Sequence, residues 1–263
     1  MNILIFGDIV GRGGREAVKK FLSKFKENNP VDFIVANGEN LAHGKGITEE
    51  TMKEMADAGV NVFTSGNHIW DIKQAFELLQ KESNLLRPQN FAPSLPGKGS
   101  VVVQNGTTTI AVLNINGRVF FKENYDDPFR AAEEWLASLP RVKPLITLVD
   151  FHAEATSEKR SMGLFLDGKV TAVWGTHTHI ATADEQILPE GTAYLTDIGM
   201  TGSLNSVLGV RSGAVLERFK TQLNVPLDVM EDLPWEVNAL YLDIDEQGEK
   251  VRSIKRIREI ITE

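Results

Sequence analysis

The chain has 263 residues, of which 42% are hydrophobic and 24% charged, and its formal net charge is −8. This length suits one large α/β domain or two small ones, and the apolar content is ample for a buried core. The acidic balance argues against a broad basic face for extended duplex nucleic acid. Because cysteine is absent, disulfides, thiolate metal sites and cysteine nucleophiles are excluded.

The chain shows no pattern of export or membrane insertion. Its first residues lack the basic start and the apolar length of a signal peptide, and no stretch approaches the ~18 apolar residues of a membrane span. We therefore expect a cytoplasmic protein with no membrane partner. No repeat, low-complexity tract or linker divides the chain, which predicts a single domain over residues 1–263. The sequence shows no clear oligomeric interface and leaves a homo-oligomer open.

The first eighty residues predict three strand–helix units. Apolar runs at 2–6, 32–36 and 61–65 have the character of buried parallel strands. Helices are expected at 15–27, from Thr48 to about Gly59, and at 71–81. This alternation indicates a layered α/β fold, in which ligands bind outside the carboxyl ends of the strands. The glycines that follow the first strand do not complete a dinucleotide-binding fingerprint, because its third glycine would fall on Glu16.

The second half of the chain continues with mixed elements. A hairpin is predicted at 100–104 and 108–114 around Asn105-Gly106, and an antiparallel pair at 237–243 and 249–257. Helices are expected at 129–139 and 155–167. Strands are expected at 145–149 and 170–174, with two more between 185 and 196. The strand at 170–174 runs directly into Gly175-Thr176-His177-Thr178-His179.

His177 and His179 form an H-x-H pair just after that strand. Side chains i and i+2 of an extended chain face the same side, so the pair predicts a chelate for zinc, iron, manganese or nickel. An isolated H-x-H pair also arises by coincidence on protein surfaces. The interpretation therefore depends on whether other ligands lie nearby.

Other nitrogen and oxygen donors follow the ends of several predicted strands. Parallel strands bring their carboxyl ends to one edge of a sheet, so these side chains should converge. A pair of metal ions needs about six or seven ligands with a bridging carboxylate, and this set is large enough. The candidate residues are Asp8, Glu39, Asn40, Asn67, His68, His152, His177 and His179.

The order of these motifs resembles the calcineurin-like metallophosphoesterase superfamily, whose signature is GDxH, a second GD block, GNH(E/D), a later histidine and GHxH. It is most similar to the YmdB-like bacterial branch, which resembles 2′,3′-cyclic-nucleotide phosphodiesterases. The resemblance covers essentially the whole chain. The motifs that carry it are GDIVGxxG from Gly7, NGEN from Asn37, SGNHxWD from Ser65, His152 and GTHTH from Gly175.

The resemblance implies an αββα sandwich with two mixed β-sheets flanked by helices and a metal site at the strand carboxyl ends. It implies a phosphodiesterase for small nucleotides, in particular 2′,3′-cyclic nucleotides, with two divalent or trivalent ions of iron, manganese or zinc. The first metal would be held by Asp8, Glu39, Asn40 and His179. The second would be held by Glu39, Asn67, His152 and His177.

Two positions depart from the wider superfamily. Val10 stands where GDxH has its histidine, and Glu39 stands where the bridging ligand is usually an aspartate. The resemblance implies that Asn40 replaces the missing ligand and that Glu39 bridges the two metals.

The expected reaction is attack of a metal-bridging hydroxide on phosphorus. His68 would protonate the leaving alkoxide or stabilise the transition state. Two alternatives stay open at this point. The pocket could serve a regulatory nucleotide- or RNA-related scaffold in which turnover is incidental, or a mononuclear metal amidohydrolase.

Several charged residues near these motifs are expected to be structural. Asp71 is predicted as the N-terminal cap of the helix at 71–81. Asp150 and Asp197 are predicted as structural residues, with support of an imidazole as the alternative. Lys159 and Arg160 are predicted to lie on a solvated helical face.

Overall fold

A computed structural model describes residues 1–245, 247–248 and 250–263. Two six-stranded sheets pack face to face within this part of the chain. The first contains β1 (Asn2–Asp8), β2 (Phe33–Asn37), β3 (Val62–Thr64), β10 (Gly202–Ser203), β11 (Trp235–Ile244) and β12 (Val251–Ile261). The second contains β4 (Ser100–Asn105), β5 (Thr108–Asn116), β6 (Leu145–His152), β7 (Ala172–Thr176), β8 (Gln186–Ile187) and β9 (Ala193–Leu195).

Helices cover the outer faces of the two sheets. α1 (Gly11–Asn28), α2 (Glu49–Ala58) and α3 (Gln74–Lys81) cover the first sheet, and α4 (Pro128–Ser138) and α5 (Thr156–Leu166) cover the second. The described residues also form α6 (Ser212–Thr221) and a 3₁₀ helix at Asn67–Trp70. Within the described residues, no helix is both long and apolar enough to cross a bilayer.

Both sheets are mixed, and the directions of their strands determine where the strand ends meet. β1, β2 and β3 run parallel, while β11 joins β1 antiparallel. In the second sheet β5, β6, β7 and β9 run parallel, with β4 and β8 antiparallel beside them. The carboxyl ends of the parallel strands therefore meet along one edge of each sheet.

Successive side chains along each strand point to opposite faces of the sheet and so enter different cores. Ile3 and Ile5 lie in the core between the sheets, whereas Leu4 and Phe6 face the other way into the core beneath α1 and α2. A third core, which includes Phe151, lies between the second sheet and helices α4 and α5. The layer order is helix, sheet, sheet, helix, which confirms the predicted αββα sandwich.

Several element boundaries differ from the predictions. Helix α1 begins at Gly11 rather than at Arg15. The glycines of the first turn allow it to pack closely against the segment around Thr201, since a Cβ at Gly14 would lie 2.4 Å from Thr201 O. Helix α6 was not predicted. The final antiparallel pair is confirmed, but its second strand begins at Val251, and the predicted start at Glu249 lies outside the described residues.

Candidate metal centre

The strand ends of both sheets deliver the candidate ligands to one place. Asp8 ends β1, Glu39 and Asn40 follow β2, and His152 ends β6. These four side chains are almost fully buried. Buried carboxylates need a compensating charge or several hydrogen bonds, so the group requires partners that the polypeptide alone supplies only in part.

Four ligand atoms from four segments lie close together. His152 Nε2 lies 3.1 Å from Glu39 Oε1, 3.0 Å from Asn67 Oδ1 and 3.1 Å from His177 Nδ1. Donors that share one metal at ~2.1 Å are themselves about 3 Å apart. The structure thus brings together the four residues predicted for the second metal, and their spacing fits an ion.

Hydrogen bonds on the side away from the cluster orient the imidazole of His152. Its Nδ1 lies 2.9 Å from Thr176 Oγ1, and the Thr176 hydroxyl donates to Asp150 Oδ1 at 2.7 Å. Because that hydroxyl proton is already engaged, His152 Nδ1 must be the donor to Thr176. Nε2 then faces the cluster, as the ligating nitrogen does in histidines that bind metals. Asp150 therefore supports an imidazole through Thr176.

The two histidines of the H-x-H pair have the same arrangement. His177 Nε2 lies 3.0 Å from Glu154 Oε2, which leaves its Nδ1 facing His152. His179 Nδ1 lies 3.0 Å from Leu208 O, which leaves its Nε2 facing Asp8 Oδ1 at 3.8 Å. An acceptor behind each ring is the usual support of a metal-ligating histidine.

The predicted first metal site contains two unsatisfied oxygens. Asp8 Oδ1 and Asn40 Oδ1 are buried and accept no hydrogen bond from any described residue. Asp8 Oδ2 accepts from His177 N at 3.0 Å, and Asn40 Nδ2 donates to Gly44 O at 2.8 Å, so both side chains are held with one oxygen left over. A cation accounts for such orphaned oxygens, and the residues present fit one.

The charges of the cluster depend on one another. Burial lowers the pKa of His152, but the carboxylates of Glu39, Asp8 and Asp150 outweigh burial and raise it to about 9. Burial and the neighbouring His152 lower the pKa of His177 to about 3. Burial raises the pKa of Glu39, but His152 and His68 reverse this and lower it to about 2. His152 and Glu39 therefore each favour the charged form of the other.

Comparison with known proteins identifies the family. The family model described as "YmdB-like protein" matches residues 4–257. The chain belongs to the YmdB-like family. A Bacillus subtilis (strain 168) relative, a 2′,3′-cyclic-nucleotide 2′-phosphodiesterase, is 44% identical over 257 residues, which cover 98% of this chain and 96% of the relative.

Solved structures agree with this assignment. A protein of Thermus thermophilus superposes with a TM-score of 0.92 at 35% identity and covers 99% of this chain and 100% of its own. A phosphatase of Mycoplasma pneumoniae superposes with a TM-score of 0.92 at 32% identity. The match covers 100% of this chain and 94% of the phosphatase. The YmdB-like chain thus has the metallophosphoesterase fold that its motifs indicated.

His68 lies beside the cluster of the YmdB-like chain without joining it. Its backbone N–H donates to Glu39 Oε2 at 2.9 Å, and its Nδ1 lies 3.0 Å from Asp71 Oδ2. The prediction of Asp71 as a helix cap was wrong, because the 3₁₀ turn carries Asp71 back to His68 and α3 begins after Lys73. The His68 side chain is partly exposed, and its Nε2 has no hydrogen bond among the described residues.

Two further expectations were wrong. His177 and His179 do not continue an extended strand, since their φ angles are 101° and 63° and each ring turns towards a different partner. Lys159 is not solvated, because it is buried against Asp197. Sequence reasoning also missed Glu154, although its position two residues after His152 and near the strand end was an available signal.

Proposed function

We propose that this phosphoric diester hydrolase cleaves 2′,3′-cyclic nucleotides at a centre of two metal ions. One observation carries the proposal. Three imidazoles, each with one ring nitrogen engaged by an acceptor, turn the other nitrogen towards a cluster that includes buried carboxylate and amide oxygens. The name of the Bacillus subtilis relative supports the substrate class and the 2′ bond as the bond cleaved.

The contacts described above support a ligand assignment that the family resemblance implies. We place Asp8, Glu39, Asn40 and His179 on the first metal, and Glu39, Asn67, His152 and His177 on the second. We propose Glu39 as the bridging ligand, as the resemblance implies; its Oε1 faces His152 of the second site at 3.1 Å. The mixed nitrogen and oxygen donors suit iron, manganese or zinc. When bound, such ions polarise phosphoryl oxygens and activate water.

His68 is assigned to the leaving group. Cleavage of the P–O2′ bond turns the ribose 2′-oxygen into an alkoxide that needs a proton, and the product is the 3′-nucleotide. Asp71 orients the ring through Nδ1, while Glu39 anchors the backbone of His68 next to the cluster. His68 Nε2 can then deliver the proton, as general-acid histidines do.

A substrate panel tests the proposal. Protein loaded with Mn²⁺ or Fe²⁺ is assayed on 2′,3′-cAMP, 3′,5′-cAMP and bis-p-nitrophenyl phosphate, with products resolved by chromatography. We expect 3′-AMP from 2′,3′-cAMP and a higher kcat/KM for it than for 3′,5′-cAMP. Formation of 2′-AMP would show that the other bond is cleaved. Bound metals without turnover on any substrate would favour the regulatory scaffold.

A further inference from the structure

A buried ion pair lies behind the candidate metal centre and outside its ligand set. Lys159, in the first turns of α5, places its Nζ 2.5 Å from Asp197 Oδ2, and both side chains are 1% exposed. A buried ion pair is costly to desolvate and is weak evidence for stability on its own. The contacts of its two members therefore have to indicate what the pair does.

Asp197 holds the residue between the two histidines. Its Oδ2 accepts from Thr178 N at 3.2 Å and from Thr178 Oγ1 at 2.8 Å, while its Oδ1 accepts from Gly199 N at 2.8 Å. Thr178 is thus fixed through both its backbone and its side chain. We call residues 176–179 the histidine turn.

Lys159 reaches Asp197 across Gly175. A Cβ at Gly175 would lie 2.9 Å from Lys159 Cδ and 1.9 Å from Thr196 O, so only glycine admits this crossing. The segment that follows Asp197 also pairs with the residue before the turn and with its last residue. Ile198 N donates to Gly175 O at 3.0 Å, and Met200 N donates to His179 O at 3.1 Å.

The histidine turn has a backbone that needs such support. The φ angles of His177 and His179, 101° and 63°, lie in the left-handed region that side chains other than glycine rarely adopt. Conformations of this kind persist only where the surroundings over-determine them, and they cluster at functional sites.

We propose that the Lys159–Asp197 pair is a positioning device that holds the histidine turn so that His177 and His179 face separate ligand groups. The inference rests on the proposed metal centre. Lys159 neutralises the buried carboxylate, and Asp197 transmits the constraint through Thr178. Both are positioning residues.

Metal affinity tests the proposal on the full chain. We compare Lys159→Met, Asp197→Asn and the double variant with Leu166→Ala, which removes a fully buried side chain at the far end of α5. The metal-free proteins are titrated with Mn²⁺ against a chelator, and with Co²⁺ by absorption spectroscopy. Their Tm values are recorded.

We expect each single variant to weaken Mn²⁺ binding about 10- to 100-fold and to alter the Co²⁺ spectrum. The double variant should lose little more than either single variant, because the pair acts as one unit. Leu166→Ala should lower Tm but retain the affinity and the spectrum. Wild-type affinity in Lys159→Met and Asp197→Asn would overturn the proposal, as would an equal affinity loss in Leu166→Ala.

Thr178 provides a milder test that leaves the ion pair intact. Thr178→Val removes the hydroxyl that donates to Asp197, whereas Thr178→Ser retains it. We expect a several-fold loss of Mn²⁺ affinity in the valine variant and recovery in the serine variant; equal affinities would contradict the proposal. A wild-type chain that binds no metal would overturn the proposed function together with this inference. If the wild type binds metal and the variants bind it with the same affinity, this inference alone would be overturned.

Discussion

At the residue scale, the chemistry of the site depends on what lies behind each imidazole. Thr176 accepts from His152, Glu154 from His177 and the Leu208 carbonyl from His179. Each acceptor engages one ring nitrogen and so determines which nitrogen faces the cluster of buried oxygens and imidazoles. His68 differs, because its supported ring lies beside the cluster and keeps one nitrogen for the substrate.

His68→Asn should separate catalysis from metal binding. The ring of His68 contacts Asp71 and not the cluster, so we expect normal metal content and a fall in turnover of 2′,3′-cAMP by about 10²- to 10⁴-fold. The loss should be smaller on bis-p-nitrophenyl phosphate, whose phenolate departs without a proton. Steady-state kinetics with metal analysis of the same sample measures both. Near wild-type turnover of 2′,3′-cAMP would refute the role.

Metal binding should tighten as pH rises. The pKa of His152 is raised to about 9, so at pH 7 a metal must displace a proton from its Nε2. The pKa of His177 is lowered to about 3, so its Nδ1 carries no proton at pH 7. We expect the apparent affinity of the second site to rise about tenfold per pH unit up to pH 9. Chelator competition, corrected for protonation of the chelator, measures this. A pH-independent affinity would contradict the assignment.

The same proton links pH to the stability of the metal-free fold. A pKa raised above its unfolded value of 6.5 means that His152 contributes stability below pH 6.5. That contribution is lost as pH rises through about 9.

At the scale of elements, the sequence predicts where the strands end but not the conformation of the turns that follow them. Buried parallel strands have short apolar runs, so the positions of Asp8, Glu39 and His152 follow from local pattern alone. The conformation of the histidine turn depends on hydrogen bonds that Asp197 and the Leu208 carbonyl accept, and both residues are distant in sequence.

Helix α5 shows a related limit of the local pattern. Its periodicity does not reveal that Glu158 and Lys159 are both buried, because this depends on the loops that pack over the start of the helix. Glu158 accepts from Arg118 N at 2.9 Å and from Val119 N at 3.2 Å, while Lys159 pairs with Asp197. A charged helical face is solvated by default, and only these distant partners alter that expectation.

Gly66→Ala should disrupt the second metal site. A Cβ at Gly66 would lie 2.2 Å from His152 Nε2, so either the imidazole or the 3₁₀ helix must move. We expect a loss of about 1–3 kcal/mol in the free energy of unfolding, as overpacking usually costs, together with weaker metal binding.

The matched control for Gly66→Ala is Gly213→Ala in α6. A Cβ at Gly213 meets nothing within 4 Å, and alanine favours helix by roughly 0.5–1 kcal/mol. This variant should keep or slightly gain stability with normal metal binding, which thermal unfolding and metal analysis record. Wild-type metal affinity in Gly66→Ala would show that metal binding does not depend on the close approach of Gly66 to His152.

At the scale of the molecule, the candidate centre joins the two sheets. Glu39 of the first sheet meets His152 of the second, and His177 N donates to Asp8. Ser65 and Asn114 exchange two hydrogen bonds of 2.9 Å across the same boundary. Bound cations would reinforce this junction, because they draw buried carboxylates and imidazoles from both sheets. The organisation as a single domain over residues 1–263 stays a prediction.

The number of metal ions per chain tests the central claim most directly. Metal-free protein is loaded with Mn²⁺, freed of unbound ions and analysed by elemental mass spectrometry. We predict two ions per chain in the wild type. We predict one in His179→Ala, because this substitution removes the only imidazole of the first site and leaves the other cluster intact. One ion or none in the wild-type protein would contradict the account.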